Sequence, residues 1–232
     1  MAKGIIVNVG TGGAPPKMII TDFDPSQKAS YAPGKEMLYV TSEKIEVGFL
    51  VEGNVTDDGK QLTFTVTKII DSNPTVITGN SSGNITIGIN ESYLVQSTGQ
   101  ITGNVTVNGG VLLVNGGKAS GNISINSNST IICINGASVG GGTFDVGGSG
   151  TNASVAFQNT TVNGKFSTNG ITFVNLAGNN FNGNLSSVKD GYVSIVNNTV
   201  NKDLVVSQVV NECKISANTV AGSTTIDPIC QP

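Results

Sequence analysis

The sequence predicts an all-β protein. A small antiparallel β domain (residues 1–75) precedes a parallel β-solenoid (residues 76–232) of about eight coils, each of roughly 20 residues. Three observations predict this. Asn is crowded into the second segment, with 24 of its 27 copies after residue 75. In that segment a Gly-Asn-apolar-hydroxyl-apolar pattern recurs at nearly constant spacing. The first segment instead has alternating apolar runs around a hairpin turn and holds 7 of the 12 Lys and 9 of the 15 acidic residues.

In residues 1–75, Ile45, Val47, Phe49 and Val51 alternate with more polar neighbours, as do Leu62, Phe64 and Val66. Period-two alternation is the mark of a half-buried strand. Between the two runs lies Asp57-Asp58-Gly59-Lys60, a hairpin turn in which Gly tolerates positive φ. Gly10 to Pro16 and Asp24 to Gly34 are turn-rich and read as loops.

The second segment repeats. Gly83-Asn84-Ile85-Thr86-Ile87 returns as Gly103-Asn104-Val105-Thr106-Val107 and as Gly121-Asn122-Ile123-Ser124-Ile125. Fainter copies begin at Gly141, Gly164, Gly183, Lys202 and Gly222, so the anchors keep a nearly even beat along the whole segment. An apolar residue usually stands two places before the anchor, as at Ile101, Val139, Val162, Phe181, Val200 and Val220. A second apolar run follows, such as Val111 to Val114 or Ile131 to Ile134, closed by Asn115, Asn135, Asn175, Asn197 or Asn218. This period is too short for a propeller blade and lacks helical spacing, so it suits a solenoid coil.

Stacking at roughly 4.8 Å per coil turns each repeat position into a column. The pairs Ile85 with Ile87, Val105 with Val107, Ile123 with Ile125, and Leu204 with Val206 are expected inside. Gly and Asn are expected at the corners, where positive φ is needed, and stacked Asn can hydrogen-bond along a column. Gly147-Gly148-Ser149-Gly150, in the longest interval, reads as a loop bulging from one corner. The outward hydroxyl row Thr86, Thr106, Ser124, Ser167, Ser186 and Thr225 is interrupted on this count by Phe144 and Val205.

Composition narrows the functional classes. The net charge is −3, and the basic residues are all Lys, with no Arg and no His. Nucleic-acid binding calls for a basic face, usually with Arg, so no such partner is expected. No run of 18 apolar residues occurs, so no membrane insertion is expected. Met1 to Val7 is too short an apolar stretch for a secretion signal. No cysteine pair has metal-ligand spacing, so neither metal nor cofactor is expected.

Polysaccharide-cutting solenoids need paired carboxylates. The six acids of the solenoid, Glu91, Asp145, Asp190, Asp203, Glu212 and Asp227, share no column; Asp190 and Glu212 lie on neighbouring coils three positions out of phase. A sugar-binding platform would draw on Tyr93 and Tyr192, about five coils apart. These four residues (Asp190, Glu212, Tyr93 and Tyr192) are the carbohydrate-site candidates, and no catalytic residue is assigned. Cys133, within Ile131 to Ile134, reads as a buried small apolar residue. Cys213 and Cys230 are separated by close to one coil, so a disulfide and two free thiols both fit.

At the level of pattern, the Gly-Asn-Ile-Thr-Ile coils resemble the parallel β-solenoids of bacteriophage fibres and spikes and of bacterial surface adhesins. The resemblance spans roughly residues 76–227 and rests on architecture alone. It implies a non-catalytic structural protein: a projecting rod attached through residues 1–75 to a larger assembly, at a virion or extracellular surface. It also implies partners, namely an assembly protein and further copies of the chain as a trimer or filament, with surface glycans as another class. Residues 1–75 are expected to dock and to cover the first coil. The alternatives are a carbohydrate-binding or carbohydrate-cleaving β-helix and a self-assembling filament subunit.

Overall fold

The computed structural model describes residues 1–27, 31–126, 128–141, 143–147 and 152–230. Five strands make the N-terminal unit: β1 (Ala2–Asn8), β2 (Lys17–Ile20), β3 (Glu36–Val40), β4 (Leu50–Asp57) and β5 (Leu62–Asp71). They close into a barrel in the order β1-β2-β3-β5-β4. Every neighbouring pair is antiparallel except β3 with β5, which run parallel. Ile6, Met18, Ile20, Tyr39, Val51 and Phe64 fill the interior. The β4–β5 turn falls at Asp57 to Lys60. Gly59 has φ 78°, and the Asp57 and Asp58 carboxylates accept backbone N–H bonds from Gly59, Lys60 and Gln61. The strand expected from Ile45 starts only at Leu50, because Ile45 and Val47 sit in the preceding loop and pack from there.

From Thr75 the chain winds eight coils of three strands, giving three parallel eight-stranded sheets. A long face runs from Thr75–Ile77 in coil 1 to Glu212–Ser216 in coil 8. A short face of two-residue strands runs from Asn80–Ser81 to Thr219–Val220, and a third face from Ile85–Ile87 to Thr224–Ile226. Successive coils pair in register: Val105 lies opposite Ile85 on one side and Ile123 on the other. The inward pairs expected from the sequence are found inside, joined by Phe144, Phe157, Phe166 and Phe181. Phe144 stacks on Phe166 with centroids 4.8 Å apart, and Phe157 meets both edge-on.

Two details of the repeat differ from the sequence reading. In coil 4 the register falls one residue later than Gly141 suggests. Thr143 donates its N–H to the Asn122 side chain, and Phe144 pairs with Ile123 and faces the core. Phe144 therefore does not interrupt the outward hydroxyl row. The anchor glycines also answer to a different need. A Cβ on Gly103 would lie 1.8 Å from the Gly83 carbonyl oxygen, and one on Gly121 2.1 Å from that of Gly103. The coil beneath approaches too closely for any side chain, while a positive φ is needed at Gly83 (100°) and at neither of these two. Of the loop expected at 147–150, residues 148–150 lie outside the described residues.

The barrel packs sideways on the long face and adds no strand to coil 1. Among the described residues no backbone hydrogen bond joins the two units. The reason is geometric: a closed barrel has no free edge to offer. What it offers is a patch of Ile5, Ile19 and Leu50, which meets Leu94, Val111, Leu113, Ile132, Ile134 and Ala156 of coils 2 to 5. Gly34 comes so close that a Cβ there would stand 3.2 Å from that of Ala156. Ser92 ties the two units with polar bonds: its backbone N–H donates to the Asp71 carboxylate (2.9 Å), and its one hydroxyl hydrogen is shared between that carboxylate (2.8 Å) and the Gly48 carbonyl (3.1 Å). The runs Val111 to Val114 and Ile131 to Ile134 are apolar throughout because both sides are covered: Leu112 and Val114 face the solenoid core, Val111 and Leu113 the barrel.

The last coil ends in a 3-10 turn, Pro228–Cys230, folded back on the strand Glu212–Ser216. Cys213 and Cys230 form a disulfide with Cα atoms 4.8 Å apart. The second cysteine belongs to this closing turn, not to a ninth coil. Leu113→Asp should loosen the barrel from the solenoid, forfeiting at least the roughly 1.5–3 kcal/mol of one buried leucine. Hydrogen exchange should then rise in β1 and β2 and stay low in the third face. Unchanged exchange in β1 and β2 would contradict the lateral docking.

Candidate functional site

Beyond coil 5 the outward side of the long face changes character. Its outward rows continue as Phe173, Tyr192 and Glu212, and as Asn175, Ser194 and Lys214, while Val174, Val193 and Cys213 face inward. Neighbours within each row stand on successive coils, roughly 4.8 Å apart, and the rows lie two residues apart along the strand. Phe23 reaches over from the loop after β2. Its ring stacks on Phe173 (centroids 4.4 Å, planes 25° apart) and leans on Tyr192 at 4.9 Å. These groups, with Ala32 and Val193, line a cleft of about 330 Å³ between the two units.

The candidates from the sequence fall into two groups. Tyr192 and Glu212 are brought together, facing each other in register on coils 7 and 8. Asp190 and Tyr93 are elsewhere. Asp190 has no exposed surface. Its carboxylate accepts hydrogen bonds from the Thr168 and Ser187 hydroxyls and from the Ile171 N–H. Burial pushes its carboxyl above the ordinary range, and these hydrogen bonds pull partly back. Glu212 lies on an exposed strand and faces out, so these two carboxylates do not form a pair across a cleft. Tyr93 pairs with Leu112 in coil 2 and packs against the core. Phe23, Phe173 and Lys214 are site residues that the sequence reading does not single out. The signal is that polar residues enter the middle of the long-face strand from coil 6 onward, at Asn175, Ser194 and Lys214.

The other polar interior belongs to the coil stack. Asn179, Asn198 and Asn218 form an inward ladder at the corner after the long face. Each side-chain oxygen accepts the backbone N–H of the coil before it, at 2.9 Å for Thr160, Asn179 and Asn198 in turn. Each side-chain nitrogen donates to a core-strand carbonyl, of Phe157, Leu176 and Ile195. The sequence reading puts part of this column one residue early, at Asn197, which instead makes the turn with φ 57°. Cys133 is fully buried, and burial pushes its thiol well above the ordinary value, which leaves it unreactive. Among the described residues no three His, Cys, Asp or Glu side chains converge, and no helix is long and apolar enough to cross a membrane.

Comparison with known proteins finds no family model that matches the chain and no curated protein or solved structure similar to it. The chain is a parallel β-solenoid with a side-docked barrel, and its site is read from its own geometry.

Asp190 gives a pH signature. Its native pKa lies above the unfolded value, so the folded state holds the proton more tightly, and this contribution is lost as pH rises through the native pKa. Asp190→Asn keeps an acceptor for Ile171 and removes the titration. The melting temperature of the native chain minus that of the variant should therefore fall as pH rises from below the ordinary aspartate value of about 3.9 through the raised native one. A difference that grows with pH would refute the assignment. Breaking the disulfide by Cys213→Ser with Cys230→Ser opens a loop whose closure is worth about 3 kcal/mol. The expected result is local: faster exchange in the strand Glu212–Ser216, measured against the oxidised chain.

Proposed function

We propose that the chain is a non-catalytic structural module, a stiff polar solenoid fastened through its barrel to a larger assembly at a virion or cell surface. The observation that carries this reading is where the buried polar chemistry goes. Asn179, Asn198, Asn218 and Asp190 are all engaged in coil-to-coil hydrogen bonds that rigidify the stack. The Cys213–Cys230 bridge supports a working place outside a reducing cytosol. The side of the barrel away from the solenoid is free to meet an assembly partner. On β3, Val40 is half exposed, and Glu36 and Leu38 line a cavity with Lys35 and Lys60.

Self-association belongs to the same reading. The end of the solenoid leaves Ile215, Val220 and Ile226 only partly buried, around a cavity of about 390 Å³, and its three strands end their sheets with no further strand paired to them among the described residues. An open parallel edge is a template for another chain. Removing residues 1–71 is a poor test, because it would bare Leu94, Leu113 and Ile132. The full chain is the right sample. Light scattering and negative-stain microscopy should show trimers or filaments that disperse in Ile226→Asp. A monodisperse monomer at every concentration would overturn the assembly reading.

A further inference from the structure

The apolar seam between barrel and rod turns polar along one edge, where a second cavity of about 270 Å³ opens. On the barrel side, Lys3 stands two residues before Ile5 in β1. Thr21 stands two residues after Ile19 and extends the β1–β2 ladder, its N–H donating to the Lys3 carbonyl. Ile5 and Ile19 face the rod, so period-two alternation turns Lys3 and Thr21 the same way. On the rod side, Thr130 and Ser154 occupy the outward row between Val111 and Phe173, in register on coils 4 and 5. Their spacing is roughly 4.8 Å.

Thr21, Thr130 and Ser154 are only 2%, 8% and 2% exposed. Among the described residues their hydroxyls hydrogen-bond to nothing, although buried hydroxyls ordinarily have a partner. Every side-chain nitrogen or oxygen sealed from solvent is satisfied, so these three give onto the cavity and not onto packed atoms. Three such groups in one place call for a polar occupant. Two charges flank them. The Asp22 carboxylate accepts the Lys3 backbone N–H on one oxygen (2.7 Å), and burial pushes its carboxyl above the ordinary range. Among the described residues no carboxylate lies within ion-pair distance of the Lys3 ammonium.

This charge pattern selects the ligand class. An anion would gain Lys3 and meet Asp22, a cation would gain Asp22 and meet Lys3, and an uncharged molecule would use neither. A zwitterion uses both, its carboxylate taking donors from Lys3 and the hydroxyls while its ammonium neutralises Asp22. The rest of the lining includes Phe23, Leu50 and Val111, which suit an aliphatic group. We propose that this cavity binds a small aliphatic α-amino acid, its carboxylate on Lys3, Thr130 and Ser154 and its ammonium on Asp22. The site goes beyond the structural reading and does not depend on oligomeric state, since one chain supplies every group.

Saturation-transfer NMR titrations of the full chain test it, with leucine and valine as probes. N-acetyl-leucine lacks the ammonium and leucinamide the carboxylate. Leucine or valine should receive saturation at its methyl protons, and each derivative should bind about tenfold more weakly or worse, having lost a charge-assisted bond. Thr130→Val with Ser154→Ala should weaken binding of the amino acid by about tenfold, with no fall in melting temperature, because the hydroxyls removed have no partner in the protein. Lys3→Gln, at a half-buried site, should weaken leucine and leave leucinamide unchanged, and it decides the matter alone if the double variant does not fold. Ser194→Ala, in the neighbouring cleft, should bind as the native chain does. No transfer to either amino acid, which would mean a cavity filled by water only, would overturn the proposal. So would derivatives that match leucine, or binding undiminished in the cavity variants. None of these results bears on assembly, which light scattering reads separately.

Discussion

Coil-on-coil pairing is the constraint on which the rest of this molecule depends. Each solenoid strand hydrogen-bonds to its equivalents one coil before and one coil after, so every position is repeated in a column at the strand spacing. A column admits only residues that tolerate copies of themselves at that distance. Gly103 and Gly121 have no side chain because the carbonyl beneath occupies its place. Asn179, Asn198 and Asn218 recur because an amide can accept from one coil while donating to a core carbonyl. Phe144 and Phe166 recur because two rings can stack, their planes only 6° apart. The small, polar, weakly charged composition follows from this rule, since like charges in one column would repel at every step.

Pairing also settles where the barrel can go. The long-face sheet is covered by the solenoid core on one side, and in coils 2 to 5 the outward row Leu94, Leu113, Ile132 and Ala156 is apolar as well. A parallel sheet with two apolar sides must be covered twice. The closed barrel can offer only a patch of side chains, and that patch fits the side of the rod. The first coil's edge is left as the end of its sheets, as is most of the last. This is the physical ground for expecting contacts at the ends, whereas the barrel's own freedom to bind is on the side turned away from the rod.

Much of this is legible in the sequence, and the gaps have identifiable causes. The coil period, the inward pairs and the hairpin at Asp57 to Lys60 are readable because each rests on local chemistry repeated or reinforced nearby. The fourth coil slips by one residue because Gly141 imitates an anchor while Thr143 holds the Asn place. The lateral docking is written in Val111 to Val114 and Ile131 to Ile134, whose unbroken apolar character marks two covered sides; taken only as a second strand of the coil, they do not reveal the barrel's position. β1 to β3 escape a local reading because Ile5 and Ile6, Met18 to Ile20, and Met37 to Tyr39 are recognisable as strands only through their partners across the barrel. The cleft is legible only in half. Tyr192 and Glu212 stand out as residue types, while Phe23 reaches Phe173 and Tyr192 from the opposite end of the chain.

Along the rod, two modes of stabilisation succeed each other. In coils 2 to 5 the long face is held from outside by Ile5, Ile19 and Leu50 of the barrel. From coil 5 onward that cover ends, and the stack is held from inside by the Thr160–Asn179–Asn198–Asn218 ladder, the hydrogen bonds of Asp190 and finally the disulfide. Where the outer cover stops, the outward rows no longer need to be apolar, and Asn175, Ser194 and Lys214 take the places that Leu113, Ile132 and Ala156 hold under the barrel. The cleft lies at this crossover, with the last reach of the barrel, Phe23, forming its wall. A polar surface beside an aromatic edge fixed by the docked unit arises at this boundary because internal ladders have taken over the work of cohesion there.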